Sequence, residues 1–343
     1  MATLTQSNPV PAHELHIEPN ELPKLRSNYG KYIESDSVGW MRSTPIDTPM
    51  EEIRRRFEED GYVWMKGVIP REDVLDMREH YFSHIAHTGI LAPGTSPRDG
   101  IFNPTNDPIA HSGVGGTDLP DDVAKVAALT SAHTTPIYLA FLEHPHLRGF
   151  ICDFMGWKKD VMVQRTMLRH NVPNGLSTGI HYDRIFLRAS PIDFLTAWVP
   201  IGDCSPAGGG LMYLSHSGAL GRAMEASFME RAAGFSDADR INAFNMNMAK
   251  DGQLSHDAAA LYEELSNEWD EKGVGPKGRE MKWMVGDFKA GDVVFHNPYL
   301  VHGACKNEDA RGVIRLSTDL RFYEEGTQVD ERWMRFWEPN DGL

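Results

Sequence analysis

Three residues of the chain could hold one metal ion. His181 and Asp183 stand two apart in Gly179-Ile180-His181-Tyr182-Asp183, and His302 follows at the end of an apolar segment. Residues i and i+2 of a strand point to the same side, so one ion can reach both the imidazole and the carboxylate. With a distal histidine the set becomes two imidazoles and one carboxylate. That set leaves three positions open on Fe(II), enough for O2 and a bidentate co-substrate. A His-x-Asp triplet alone is a weak signal, because about one is expected by chance in a chain with 15 histidines and ordinary Asp content. A second pair, His16-Ile17-Glu18, sits in a polar lead-in and reads as incidental.

The surroundings give the triplet weight. It follows a β-type run and a turn. Much later a Gly291-Asp292 turn leads into Val293-Val294-Phe295, and a short loop brings His302 beside Gly303. Arg315 then opens a further strand, Arg315-Leu316-Ser317-Thr318-Asp319-Leu320-Arg321-Phe322. A planar guanidinium at that place can grip the distal carboxylate of 2-oxoglutarate bidentately. Arg311 is its rival for that role. Arg321, six residues on and on the same strand face, is a surface residue or a substrate contact. His296 reads as a structural, hydrogen-bonded histidine, His216 as a turn residue and Trp198 as core.

Positioning these groups requires a framework, and its texture is legible. Thr48-Pro49 opens a helix that Asp60-Gly61 ends, and Pro70 starts another through about His84. Residues 88–120 are loop-like, rich in Gly, Pro, Asp and Ser, and 121–154 read as helical with breaks at Pro136 and Pro145. From Val161 onward short β-type runs alternate with turns: 161–168, 194–201, 211–214, 292–296 and 314–322. This pattern predicts an antiparallel barrel or jelly roll. A helical insertion, about 219–280 and including 237–248 with its Met246 and Met248, interrupts it. Residues 1–45 read as an arm, and 46–343 as a single domain.

The stretch 161–322 resembles the phytanoyl-CoA dioxygenase family of Fe(II)/2-oxoglutarate oxygenases. Phe57-x-x-x-Gly61-Tyr62-Val63 and Gly67-Val68-Ile69-Pro70 resemble that family's N-terminal part. The resemblance implies a mainly β, double-stranded β-helix (cupin-like) core with flanking N-terminal helices. It implies that His181, Asp183 and His302 are the metal ligands and the catalytic set, and that Arg315 binds 2-oxoglutarate. Gln164 matches a pocket glutamine on the strand before the triplet, and Thr196 falls where a hydroxyl can touch the co-substrate carboxylate. Fe(II), 2-oxoglutarate and O2 are the implied cofactors, with ascorbate as a stimulant. Two departures stand out. The family's Pro-Gly-Ser-His is here Leu214-Ser215-His216-Ser217, and the gap from His302 to Arg315 is slightly long.

The expected reaction is oxidation of a C–H bond in a small metabolite, such as an intermediate of specialised metabolism, by hydroxylation, desaturation or ring closure. Loops 88–120, 171–180 and 184–192 and the insertion are the expected substrate determinants. Two rivals are an iron oxidase on the same fold that consumes no 2-oxoglutarate, and a non-catalytic partner subunit. The net charge of −15 with no basic stripe argues against nucleic acid. Three distant cysteines argue against a disulfide framework. No apolar run reaches membrane-spanning length, so a cytoplasmic protein is expected, with the arm and insertion as candidate contacts for a homodimer.

Overall fold

The computed structural model describes residues 22–115, 119–190, 192–241, 253–272, 281–339 and 341. His16-Ile17-Glu18 and Met246 and Met248 lie outside the described residues.

Two short strands, β1 (Val38–Trp40) and β2 (Ser43–Thr44), open the described fold. They fall within the expected arm, where three and two residues are too few to show a period. Helix α1 (Met50–Asp60) follows Pro49 and stops where Gly61 turns left-handed at φ 76°, its N–H bonding back to Phe57 at 2.8 Å. Strand β3 (Tyr62–Met65) and helix α2 (Arg71–Ile85) come next. Three helices then run in series: α3 (Val123–Ala132), α4 (Pro136–Leu142) and α5 (Pro145–Met155). The Asp122 side chain caps α3, and Thr135 caps α4 with Pro136 just inside it.

The expected run 161–168 is two strands, β4 (Asp160–Met162) and β5 (Met167–Asn171), broken at 163–166. The break lets both pair with one long neighbour, β11 (Arg315–Glu324). β6 (Leu195–Pro200) and β7 (Leu211–Leu214) match expectation. The insertion supplies α6 (Gly218–Arg231), α7 (Asp237–Ile241) and α8 (Ala258–Lys272). β8 (Trp283–Val285), β9 (Val293–His296) and β10 (His302–Ala304) lead to β11.

The strands form two facing sheets. The smaller runs β1-β8-β7-β10, and the larger runs β2-β3-β9-β6-β11-β4 with β5 also on β11. Tyr62, Trp64, Trp198, Leu211, Tyr213, Phe288 and Val294 fill the space between them. Outside the larger sheet, Leu316, Leu320 and Phe322 pack against α1 to α5 through Val74, Tyr138 and Phe154. Outside the smaller sheet, Met212, Leu214 and Trp283 pack on Leu220 of α6 and Leu261 and Leu265 of α8. This is the jelly-roll core with flanking helices and a helical insertion that the sequence predicts. Burial of each large side chain contributes about 1.5–3 kcal/mol. Central β6 and β11 are buried on both faces, which makes them stiff mounts for a site. Among the described residues no helix is long and apolar enough to cross a membrane.

Candidate active site

His181 and His302 meet at one end of the gap between the sheets. Their backbones form a bridge, His181 N–H to the His302 carbonyl and the reverse, each at 2.8 Å. Gly303 permits this approach, since a Cβ there would lie 2.9 Å from Cγ1 and 3.2 Å from Cα of Ile180. The His-x-Asp segment is not a full strand. It is one bridge at His181 and an extended Tyr182, and then a 3-10 turn begins at Asp183. One extended residue is enough to bring both side chains to one side.

Both imidazoles are aimed by their Nδ1 atoms. His181 Nδ1 bonds the Gly179 carbonyl at 2.8 Å, and His302 Nδ1 bonds the Leu300 carbonyl at 2.9 Å. A carbonyl only accepts, so Nδ1 carries the hydrogen and Nε2 keeps its lone pair. Burial, then the neighbouring His181 and His296, push the His302 pKa well below its ordinary value, so the ring is neutral. The Tyr213 ring stacks on His302, with centroids 5.5 Å apart. Among the described residues, His181, Asp183 and His302 are the group whose ligand atoms converge, all within 4.8 Å of one another.

Asp183 is fully buried. Burial alone would raise its pKa, but the Arg321 guanidinium, with His181 and His296, holds the carboxyl well below the usual range. Arg321 Nη2 donates to Oδ1 at 2.9 Å. Thr196 Oγ1 donates to Oδ2 at 2.6 Å, and His296 Nε2 lies 3.2 Å from the same oxygen.

Arg315 lines one cavity with His181, His302, Arg169, Asp319 and Trp198. It is buried, and burial pushes its pKa down from the usual value. Its Nε has no partner, and among the described residues its side chain makes no ion pair. The same sheet face carries Asn171, directly across from Arg315, and Ser317, two residues on. Both are buried, and both Asn171 amide atoms and the Ser317 hydroxyl also lack partners. Arg169 is engaged by Asp319 at 3.0 Å and by Thr178. A buried cation with no ion pair among the described residues is costly unless a ligand supplies the counter-charge. A carboxylate ligand in the cavity would supply the counter-charge for Arg315, the one of these groups that lines it. The donor set therefore fits both iron and a 2-oxo diacid.

Several sequence expectations are corrected. Gln164 is exposed in the bend between β4 and β5 and does not reach the cavity. Thr196 turns its hydroxyl to Asp183 instead of to a co-substrate. Arg321 is neither at the surface nor in the cavity lining but on Asp183. Arg311, with its side chain 77% exposed and paired to Asp309, is no rival to Arg315. His296 is a hydrogen-bonded histidine as read, and its partner is Asp183. His216 occupies a turn at φ 57°. Asp319, whose carboxylate pairs with Arg169 and lines the cavity, was missed, though its place on the same strand face as Arg315 follows from the two-residue period.

A jelly roll that carries a convergent His-Asp-His set beside a buried arginine with no ion pair among the described residues defines the class of 2-oxoglutarate-dependent iron oxygenases. Residues 57–312 match the phytanoyl-CoA dioxygenase (PhyH) family, and the chain belongs to it. It is thus an oxidoreductase that uses Fe(II) and 2-oxoglutarate. Among solved structures it is similar to SnoK, the non-haem α-ketoglutarate-dependent carbocyclase from nogalamycin biosynthesis. That pair is 17% identical over 84% of this chain and 89% of the other, with a TM-score of 0.48. SnoN, the α-ketoglutarate-dependent epimerase of the same biosynthesis, is 16% identical over 80% and 82%, with a TM-score of 0.44. AviO1 from Streptomyces viridochromogenes Tue57 is 15% identical over 82% and 97%, with a TM-score of 0.42. No curated protein matches the chain.

Proposed function

We propose that His181, Asp183 and His302 hold the iron, that Arg315 receives the distal carboxylate of 2-oxoglutarate, and that the enzyme oxidises a C–H bond of a small-molecule metabolite. Hydroxylation, desaturation and cyclisation are all within this chemistry. The observation that carries the reading is the buried Arg315 guanidinium, without an ion pair among the described residues, sharing one cavity with His181 and His302. Bound iron supplies O2 activation coupled to oxidative decarboxylation of the 2-oxo acid to succinate and CO2.

The chain's own residues bind, orient and exclude water. Arg315 fixes one end of the co-substrate from the cavity wall that it shares with His181 and His302. Trp198 and Leu211 supply the apolar walls that keep bulk water from the reacting atoms. The Phe186 ring stands edge-on to His181, with centroids 5.4 Å apart.

Anaerobic titration with Fe(II) and 2-oxoglutarate tests the reading. Bidentate chelation at two open cis positions gives a weak charge-transfer band near roughly 500–530 nm. The band should form with wild type, fail with His302→Ala for want of iron, and weaken strongly with Arg315→Ala. Iron binding without a band would redirect the assignment to an oxidase that uses no 2-oxoglutarate.

A further inference from the structure

Three residues far apart in sequence occupy one rung of the larger sheet. Arg321 of β11 pairs with Thr196 of β6, and Thr196 pairs with His296 of β9. Paired residues on neighbouring strands point to the same face, and this rung faces the other sheet. All three side chains end on one carboxylate, that of Asp183. All three are buried, with Thr196 and His296 fully so.

We infer that Arg321, Thr196 and His296 are positioning residues that hold Asp183 as a one-oxygen ligand. This rests on the reading of His181, Asp183 and His302 as iron ligands. A carboxylate has two oxygens and about four lone-pair directions. On Oδ2, Thr196 and His296 take both, at 2.6 and 3.2 Å. On Oδ1, Arg321 takes one at 2.9 Å, and the other faces His181 Nε2 at 3.6 Å. Only Oδ1 has a lone pair left for an ion.

The Tyr213 hydroxyl, from the opposite sheet, lies 3.3 Å from His296 Nδ1. Its O–H donates to Nδ1, which leaves the His296 hydrogen on Nε2, where Asp183 needs it. The rung is therefore anchored from both sheets. Its consequence lies in coordination number. A carboxylate bound through both oxygens would occupy two of six positions. Two imidazoles would fill two more, leaving too few for a chelating co-substrate together with O2. A one-oxygen Asp183 keeps the third position free.

The test uses the full chain under anaerobic conditions. Iron affinity, 2-oxoglutarate affinity and the charge-transfer band are measured for wild type, Thr196→Val, Thr196→Ser and Arg321→Lys. Thr196→Val keeps the side-chain shape and removes the 2.6 Å donor to Oδ2. Loss of a charge-assisted hydrogen bond that constrains the ligand is expected to weaken 2-oxoglutarate binding about tenfold and dim the band. Iron affinity should stay within about threefold, since the freed oxygen can reach the ion. Thr196→Ser restores the hydroxyl and should return both readouts to near wild type. Arg321→Lys keeps the charge but loses the planar fork, and it should show the same split between iron and co-substrate. Wild-type binding and band in both Thr196→Val and Arg321→Lys would overturn the inference. So would a parallel loss of iron and co-substrate that Thr196→Ser fails to rescue, the mark of a merely structural role. A wild type that binds no iron would instead overturn the ligand assignment, and the inference with it.

Discussion

At the scale of single residues, Arg315 is the group whose surroundings demand a ligand most plainly. It is a buried cation with no ion pair among the described residues, and Asn171 and Ser317 stand beside it with unsatisfied polar atoms. Lysine would keep the charge and lose the planar two-point grip. Arg315→Lys should therefore raise the dissociation constant for 2-oxoglutarate about tenfold or more, corresponding to roughly 1.5–3 kcal/mol for a charged hydrogen bond. Titration of the charge-transfer band reads it, and an unchanged constant would remove Arg315 from the role. That His181, Asp183 and His302 converge with Arg315 near them was legible because residue type and spacing carry it. The grip on Asp183 was not. Thr196, His296 and Arg321 come from three strands, and only pairing register brings them together. A one-residue slip in any strand would turn its member away. Gln164 misled because the break between β4 and β5 leaves no mark in hydrophobic pattern.

At the scale of elements, two buried histidines tie the helical layer and loop to the strand beside the cavity. His133, at the end of α3, donates from Nδ1 to the Leu129 carbonyl at 2.8 Å and accepts the Leu168 N–H of β5 at Nε2, 3.2 Å away. His170 of β5 accepts from the Tyr81 hydroxyl at 2.7 Å and donates to the His111 carbonyl at 2.9 Å. Burial lowers the pKa of each from 6.5 to about 4. Both rings are neutral in the fold, whereas the unfolded chain takes up protons near pH 6.5. The stability they confer is complete above that value, falls as pH drops from 6.5 towards 4, and is gone below 4. The loss is about 3 kcal/mol per histidine at most. Denaturant unfolding at pH 7, 6 and 5 measures it, and His133→Asn should flatten the slope; equal stability at all three would sink this account. Of the elements themselves, helices bounded by Gly61, Pro136 and Pro145 were readable from punctuation. β8 and β10 were not, because three residues hold no period.

At the scale of the molecule, two sheets close over the site and each is backed by helices. The cavity and its ligand atoms exist only when both sheets are in place, so iron and 2-oxoglutarate bind the folded chain alone. Both together at about 100 times their dissociation constants should stabilise it by roughly 2.7 kcal/mol each. At about 1.4 °C per kcal/mol for a chain of 343 residues, the melting temperature should rise by roughly 7 °C. Differential scanning calorimetry with and without a chelator checks this, and no rise in wild type would contradict it. The jelly roll itself was visible in the alternating runs after Val161, because antiparallel strands repeat apolar residues on one face.

The bridge between His181 and His302 has one more implication. The chain leaves the site at His181 and returns at His302 after 121 residues, an excursion that includes all three insertion helices. An ion gripped by both imidazoles acts as a removable cross-link across that excursion. Loop-closure entropy makes such a link worth more the longer the loop, on the order of 5 kcal/mol for about 100 residues if it were permanent. The metal that equips the enzyme for chemistry would thus also restrain the unfolded chain across that excursion, so that iron starvation lowers the stability of the fold along with the activity.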